Sequence, residues 1–129
     1  MRTIKFRGKR LTDGAWIYGD FFRNRGLSFI ASDGIEENPL ATWRDYNVDP
    51  ESVGQYTGLK DKNSKEIYDG DICRTKEGYF IVKWHNKACA FMAYNLKSYA
   101  PFSWFSNVET TGIEVVGNVH DNPELLKEK

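Results

Sequence analysis

The sequence predicts a mainly β fold, with a small SH3-like barrel in the C-terminal half, an N-terminal β lobe and a short C-terminal helix. Short runs rich in Val, Ile and aromatic residues alternate with period two, which is typical of strands. Gly-containing turn segments separate these runs at intervals of about 8–12 residues, as in small barrels and sandwiches. We expect one domain, 1–129, with a soft boundary near residue 50 between an N-terminal lobe (1–50) and a barrel lobe (51–129).

The opening residues predict an amphipathic strand. Ile4 and Phe6 alternate with Lys5, Arg7 and Lys9, so we expect the apolar pair to face a core and the three cations to face water. Such a row of cations could contact nucleic-acid phosphates. The alternative is a solvated strand face whose charge guards a sheet edge. Overall neutrality favours that alternative, because 18 Lys and Arg balance 18 Asp and Glu.

Further strands are predicted along the chain, each bounded by turn residues. They cover 15–22, 27–30, 53–59, 66–68, 71–75, 79–85, 90–96 and 113–119. The stretch 31–50 contains Gly34, Pro39 and Pro50 and is predicted to be mostly loop. Asn122-Pro123-Glu124 is typical of a helix start, so the tail is predicted to form one or two helical turns.

Residues suited to metal binding or nucleophilic catalysis are few and scattered. His85 and Cys89 are close in sequence, but Cys73 and His120 are isolated, whereas paired zinc ligands lie about two to five residues apart. A Cys–His nucleophile also needs a lowered thiol pKa and an oriented base, and the sequence indicates neither. We therefore predict free thiols, no catalytic residues, no metal, no cofactor and no enzyme activity.

Carboxylates beside glycine form a second chemical pattern. Asp69 and Asp71 flank Gly70, and Asp20 follows Gly19. Paired carboxylates can act as a general acid and base, but before a strand they more often accept backbone N–H groups in a turn. We predict the structural role.

Aromatic residues are abundant, with 8 Phe, 7 Tyr and 4 Trp. They are dense between 94 and 105, where no clean alternation appears. Because aromatic residues are enriched at interface cores, we predict a self-association surface here, and the alternative is a loop packed over a barrel end. The residues assigned to this surface are Tyr99, Phe102, Trp104 and Phe105.

Three separated blocks of the chain resemble the signature of the YopX family. They are 53–63 continued by 65–72, the tail 113–119 with 122–126, and the opening 4–9 with 16–20. The resemblance covers nearly the whole chain and implies a phage- or prophage-encoded protein, mostly β with an SH3-like component, whose biochemical role is not established. It implies no catalytic or binding residues, and Cys73 stands where an aliphatic residue is usual.

The leading hypothesis is a phage or prophage accessory protein that acts by binding or self-assembly, as a homo-oligomer. No apolar run approaches the ~18–20 residues of a membrane span and no secretory signal is evident, so we expect a soluble protein of the bacterial cytoplasm without membrane contact. The second hypothesis is nucleic-acid binding through Lys5, Arg7 and Lys9. The third is an enzyme, for which the sequence provides little support.

Overall fold

The computed structural model of the chain describes residues 3–32, 38–96, 100–105 and 110–127. The predicted mainly β fold is confirmed, with the described strands arranged in two antiparallel sheets. The strands are β1 (Phe6–Lys9), β2 (Trp16–Asn24), β3 (Leu27–Ser32), β4 (Asn47–Val48), β5 (Gly54–Lys60), β6 (Glu66–Tyr68), β7 (Asp71–Thr75), β8 (Gly78–His85), β9 (Ala90–Asn95), β10 (Pro101–Trp104) and β11 (Glu114–Asn118). Short 3-10 segments cover Trp43–Asp45, Pro50–Ser52, Thr110–Gly112 and Pro123–Lys127.

The hydrogen-bonded strand orders are β4-β3-β2-β1-β5-β6 and β10-β9-β8-β7-β11. Two compact units divide the chain after Tyr56, one comprising 1–56 and the other 57–129. Most neighbours in the two sheets are also neighbours in sequence, which is the pattern that short turns between antiparallel strands produce.

The first unit has a small apolar core. Ile17, Ile30 and Val48 are buried, and Phe6 packs against them. Ile4, however, is 54% exposed, so the prediction that it faces a core is wrong. It precedes the first residue of β1, where the alternation of the paired strand does not yet apply.

The β2–β3 hairpin closes through a two-residue turn. Asn24 pairs with Leu27, and the two residues between them have positive φ, 53° at Arg25 and 80° at Gly26. Positive φ at both central positions defines the type I′ turn, whose twist matches that of the flanking strands. The turn therefore presents Arg25 at the tip of the hairpin.

The second unit buries apolar residues on both faces of its five-stranded sheet. Along β7, Cys73 faces one cluster and its neighbour Ile72 faces the other, as strand alternation requires. The first cluster holds Ile67, Cys73, Phe80, Val82, Ala93, Phe105, Ile113 and Val115. In the second, Ile72, Ile81 and Leu96 are buried, and Leu125 and Leu126 from the tail pack against them.

Two finer predictions are not confirmed by the structure. Among the described strands no barrel closes, so the SH3-like barrel stays a prediction. The tail forms the 3-10 segment Pro123–Lys127, where a short helix of one or two turns was expected. Five residues are too few to repay the cost of nucleating an α-helix, and the packing of Leu125 and Leu126 holds the segment in place.

Candidate functional site

Asp61 lies in one of the sequence blocks that carry the family resemblance, and its side chain stabilises a turn. Its buried carboxylate accepts hydrogen bonds from the backbone N–H groups of Asn63 at 2.8 Å, Lys65 at 2.9 Å and Val115 at 2.9 Å. Burial by itself raises the pKa of Asp61, but these three donors outweigh it and hold the pKa below the ordinary value. Asp61 therefore fastens the turn after β5 to β11.

The Asp69-Gly70-Asp71 turn has the predicted structural role. Asp71 is buried and accepts the backbone N–H of Tyr68 at 2.8 Å, while Asp69 accepts that of Trp84 at 2.9 Å. Gly70 lies at a φ of 94°, which a residue with a side chain rarely adopts. The acceptance of backbone N–H groups confirms the prediction for Asp69 and Asp71, whereas Asp20 is exposed and accepts no such bond from the described residues.

The basic strand lies beside aromatic rings. The Nζ of Lys5 is 5.6 Å from the centre of the Tyr56 ring, and Arg7 and Lys9 lie over Trp16 at 4.6 Å and 5.7 Å. Arg7 and Lys9 thus share the Trp16 ring, but Arg7 is only 5% exposed, so the prediction that it faces water is wrong. A planar guanidinium stacks readily on an indole ring, which makes burial of its charge tolerable.

The tip of the β2–β3 hairpin is an exposed surface that the sequence interpretation missed. Phe22 stacks on Phe29 with ring centres 5.0 Å apart and planes 17° from parallel, and it is 47% exposed. Arg23, Arg25 and Leu27 are exposed beside it. The run Phe-Phe-Arg-Asn-Arg-Gly-Leu could have indicated this surface, because a Gly-containing turn places its flanking side chains at a hairpin tip.

Two of the four residues assigned to the self-association surface are exposed. Phe102 and Trp104 lie on β10, an edge strand that pairs with β9, and are 59% and 47% exposed. Phe105 is 2% exposed and belongs to the core cluster with Phe80, so its assignment to a surface is wrong. It directly follows Trp104, the last residue of β10. Tyr99 lies outside the described residues.

Two hollows open on the second unit. One of about 300 Å³ has Phe80, Phe102 and Tyr79 in its wall, beside β10. The other, of about 660 Å³, is lined by Lys62, Arg74, Thr75, Lys76, Glu77, Thr111, Gly112 and Glu114. In the larger hollow Arg74 and Glu114 form an ion pair, so charges of both signs line it.

The cysteines and His85 are among the residues considered for metal binding or nucleophilic catalysis. Both cysteines are free as predicted, and burial raises the pKa of the Cys73 thiol while Cys89 is exposed. The His85 Nδ1 accepts the backbone N–H of Ala88 at 3.1 Å, and its ring stacks on Tyr94. Within residues 3–32, 38–96, 100–105 and 110–127, no three His, Cys, Asp or Glu side chains are grouped to hold a metal ion.

The described part of the chain contains no helix with the length and apolar character needed to span a membrane.

The fold and these surfaces define a mainly β protein of two antiparallel sheets with aromatic residues exposed on both units. The family model described as YopX protein matches residues 5–127, nearly the whole chain, and the chain therefore belongs to the YopX family. This confirms the resemblance drawn from the sequence blocks.

The fold also resembles a solved structure. The crystal structure of protein EF1440 from Enterococcus faecalis matches with a TM-score of 0.54 and 24% sequence identity, covering 98% of this chain and 99% of that one. At this identity the similarity shows a common fold alone. No curated protein matches the chain.

Proposed function

We propose that this YopX-family chain is a non-enzymatic phage or prophage accessory protein of the bacterial cytoplasm that acts by self-assembly through β10. The observation that carries the proposal is a pair of exposed aromatic side chains, Phe102 and Trp104, on the edge strand of a sheet. Exposed aromatic residues are the side chains most often responsible for affinity at protein interfaces.

The edge of β10 is suited to strand addition. Its four residues, Pro101–Trp104, include no charged side chain, so the edge lacks the lysines or inward-pointing charges that often guard edge strands. Pro101 and the register shift after it restrict the free pairing positions to Phe102–Trp104. In the described part of the chain β10 pairs with β9 on one side, and no described strand pairs with its other side. An added strand would gain main-chain hydrogen bonds there, with aromatic contacts alongside.

A second copy of the chain is the partner that fits this edge. The chain has a formal net charge of zero, so two copies approach without net repulsion. In an antiparallel pair of β10 strands, Phe102 of one copy would lie near Trp104 of the other, giving the self-complementary contact of a twofold dimer. The hollow of about 300 Å³ beside Phe102 would receive part of an incoming side chain.

Light scattering coupled to size-exclusion chromatography tests the proposal. From about 1 to about 100 µM protein, spanning the affinities common for weak dimers, the mass should rise from that of one 14.9 kDa chain toward a multiple of it. The Trp104→Thr variant and the Phe102→Thr/Trp104→Thr variant should remain at the monomer mass over this range. Threonine preserves strand propensity while removing the aromatic contact.

Leu11→Thr is the matched control, since Leu11 is an exposed apolar residue of the first unit, 57% exposed, and lies outside β10. It should associate like the unaltered chain. A monomer at every concentration would contradict the proposal, and so would association unchanged in both β10 variants.

A further inference from the structure

We propose that the β2–β3 hairpin binds single-stranded nucleic acid, with Phe22 stacking on a base and Arg23 and Arg25 contacting phosphates. This inference is independent of self-assembly, because it concerns side chains of the first unit and none of β10. It also differs from the earlier hypothesis on Lys5, Arg7 and Lys9, since it assigns the contacts to the exposed hairpin tip.

The stacking surface is built by two phenylalanines. Phe29 is 8% exposed and lies against Phe22, which is 47% exposed, so Phe29 backs the outer ring. The two residues are direct cross-strand partners, and their ring planes are 17° from parallel. A nucleobase placed on the outer side of Phe22 would continue the stack.

The type I′ turn positions the cations. Arg25 occupies its first central position and Arg23 lies one residue before the turn, on β2. Both side chains are exposed and flank Asn24, at the same end of the hairpin as Phe22. Arg23 follows Phe22 directly in β2 and therefore lies on the opposite face of the hairpin, while Arg25 lies at the tip. A nucleotide strand that passes over the tip can stack a base on Phe22 and place phosphates near the guanidinium groups.

Charge complementarity favours an anionic partner. The segment 21–32 contains two arginines and no acidic residue, and the segment 3–32 contains six basic residues against two acidic ones. The six are Lys5, Arg7, Lys9, Arg10, Arg23 and Arg25, and the acidic pair is Asp13 and Asp20. The β1–β3 segment thus has a formal charge of +4 in a chain whose total is zero, and it attracts a phosphate backbone.

A single strand suits the hairpin better than a duplex. Stacking on Phe22 requires an accessible base face, and a duplex hides its base faces between neighbouring pairs. An anionic membrane surface would also attract exposed arginine and phenylalanine side chains. The exposed ring backed by a parallel ring favours the nucleic acid, and vesicle binding is therefore an outcome to be tested.

The test is fluorescence anisotropy of a labelled oligothymidine of about 12 nucleotides, titrated with the full chain at about 50 mM salt and then at increasing salt. We expect Phe22→Leu to weaken binding by about tenfold and to leave the salt dependence unchanged, since only a stacking contact is lost. Arg23→Gln/Arg25→Asn should lower the slope of log K against log salt by about 1.4, or about 0.7 for each lost phosphate contact.

Arg44→Gln is the matched control, because Arg44 lies outside the hairpin, over the Trp43 ring at 4.6 Å. It should bind like the unaltered chain. Asn is compatible with positive φ, and circular dichroism of each variant checks that the fold is retained. No binding at about 50 mM salt would overturn the inference, and so would equal or tighter binding of the matched duplex. An unchanged salt slope in the arginine variant would also overturn it, as would binding to phosphatidylglycerol vesicles alone.

Discussion

At the residue scale, Asp61 shows how one carboxylate determines local structure. It accepts three backbone N–H groups, and one of the donors, Val115, lies 54 residues away in sequence. Removing this acceptor in Asp61→Ala leaves buried donors unsatisfied, so we expect the free energy of unfolding to fall by about 3 kcal/mol. Urea denaturation followed by tryptophan fluorescence measures this loss.

The comparison for this prediction is Asp20→Ala, which removes an exposed carboxylate on β2. It should change the free energy of unfolding by no more than about 0.5 kcal/mol. Equal effects of the two substitutions would show that the three hydrogen bonds of Asp61 contribute no special stability.

The lowered pKa of Asp61 predicts how acid changes the free energy of unfolding. The pKa of Asp61 lies below its ordinary value of 3.8 in the folded chain, so the unfolded state binds the proton more readily. The stability that Asp61 contributes is complete above the ordinary pKa and is lost as pH falls through the lowered one. Unfolding free energies measured from about pH 5 to about pH 2 should fall less steeply in Asp61→Asn than in the unaltered chain.

Predictions for single residues were right for two carboxylates beside glycine that were expected to accept a backbone N–H group. They were wrong where tertiary packing determines whether a side chain is buried. Asp71 could be assigned to a turn hydrogen bond because a carboxylate beside glycine meets nearby N–H groups, here that of Tyr68, whereas the donor to Asp69 is Trp84 on β8. Phe105 was misassigned because a high density of aromatic residues does not show which of the rings is buried. Arg7 was misassigned because alternation along a strand shows two faces but does not show which face is covered. Trp16 covers Arg7, and only the folded chain brings the two together.

At the element scale, the β2–β3 turn contains a strained position. Arg25 has a φ of 53°, and left-handed backbone costs a residue with a bulky side chain about 1–2 kcal/mol. Asn tolerates this conformation, and Asn-Gly is a favoured type I′ pair. We expect Arg25→Asn to raise the free energy of unfolding by about 0.5–1 kcal/mol, measured by urea denaturation.

The matched substitution, Arg23→Asn, removes the same side chain from a neighbouring strand position with ordinary backbone geometry. It should give no stabilisation, because Asn is disfavoured in strands. A similar gain from both substitutions would indicate that relief of charge repulsion, and not the turn geometry, is responsible.

Strands could be predicted because turn residues mark where they end. The predicted 71–75 and 79–85 correspond to β7 and β8, which pair through the turn between Thr75 and Gly78. Barrel closure could not be predicted in the same way, because it depends on pairing between strands far apart in sequence and on where each sheet bends. The register shifts in β10 and β11 are such bends, and the sequence patterns did not indicate them.

At the scale of the whole molecule, the zero net charge conceals an uneven distribution. The β1–β3 segment has a formal charge of +4, so the rest of the chain compensates with an equal negative charge. Neutrality therefore fits both proposals, since it permits copies to associate while one segment still attracts an anion. The two proposed surfaces belong to different units, so each can be altered without substituting residues of the other.

Because the two proposed surfaces are separate, self-assembly would give each oligomer more than one nucleic-acid-binding hairpin. If two copies associate through β10, one long strand can contact both hairpins at once, and the second contact becomes intramolecular. On an oligothymidine of about 40 nucleotides, the unaltered chain should bind at least about 100-fold more tightly than Phe102→Thr/Trp104→Thr. On a strand too short to reach a second hairpin, of about 6 nucleotides, the two proteins should bind equally. Anisotropy titrations measure both ratios, over protein concentrations at which the unaltered chain is associated. The same loss on both lengths would contradict multivalent binding and would instead indicate that the β10 residues contact the nucleic acid themselves.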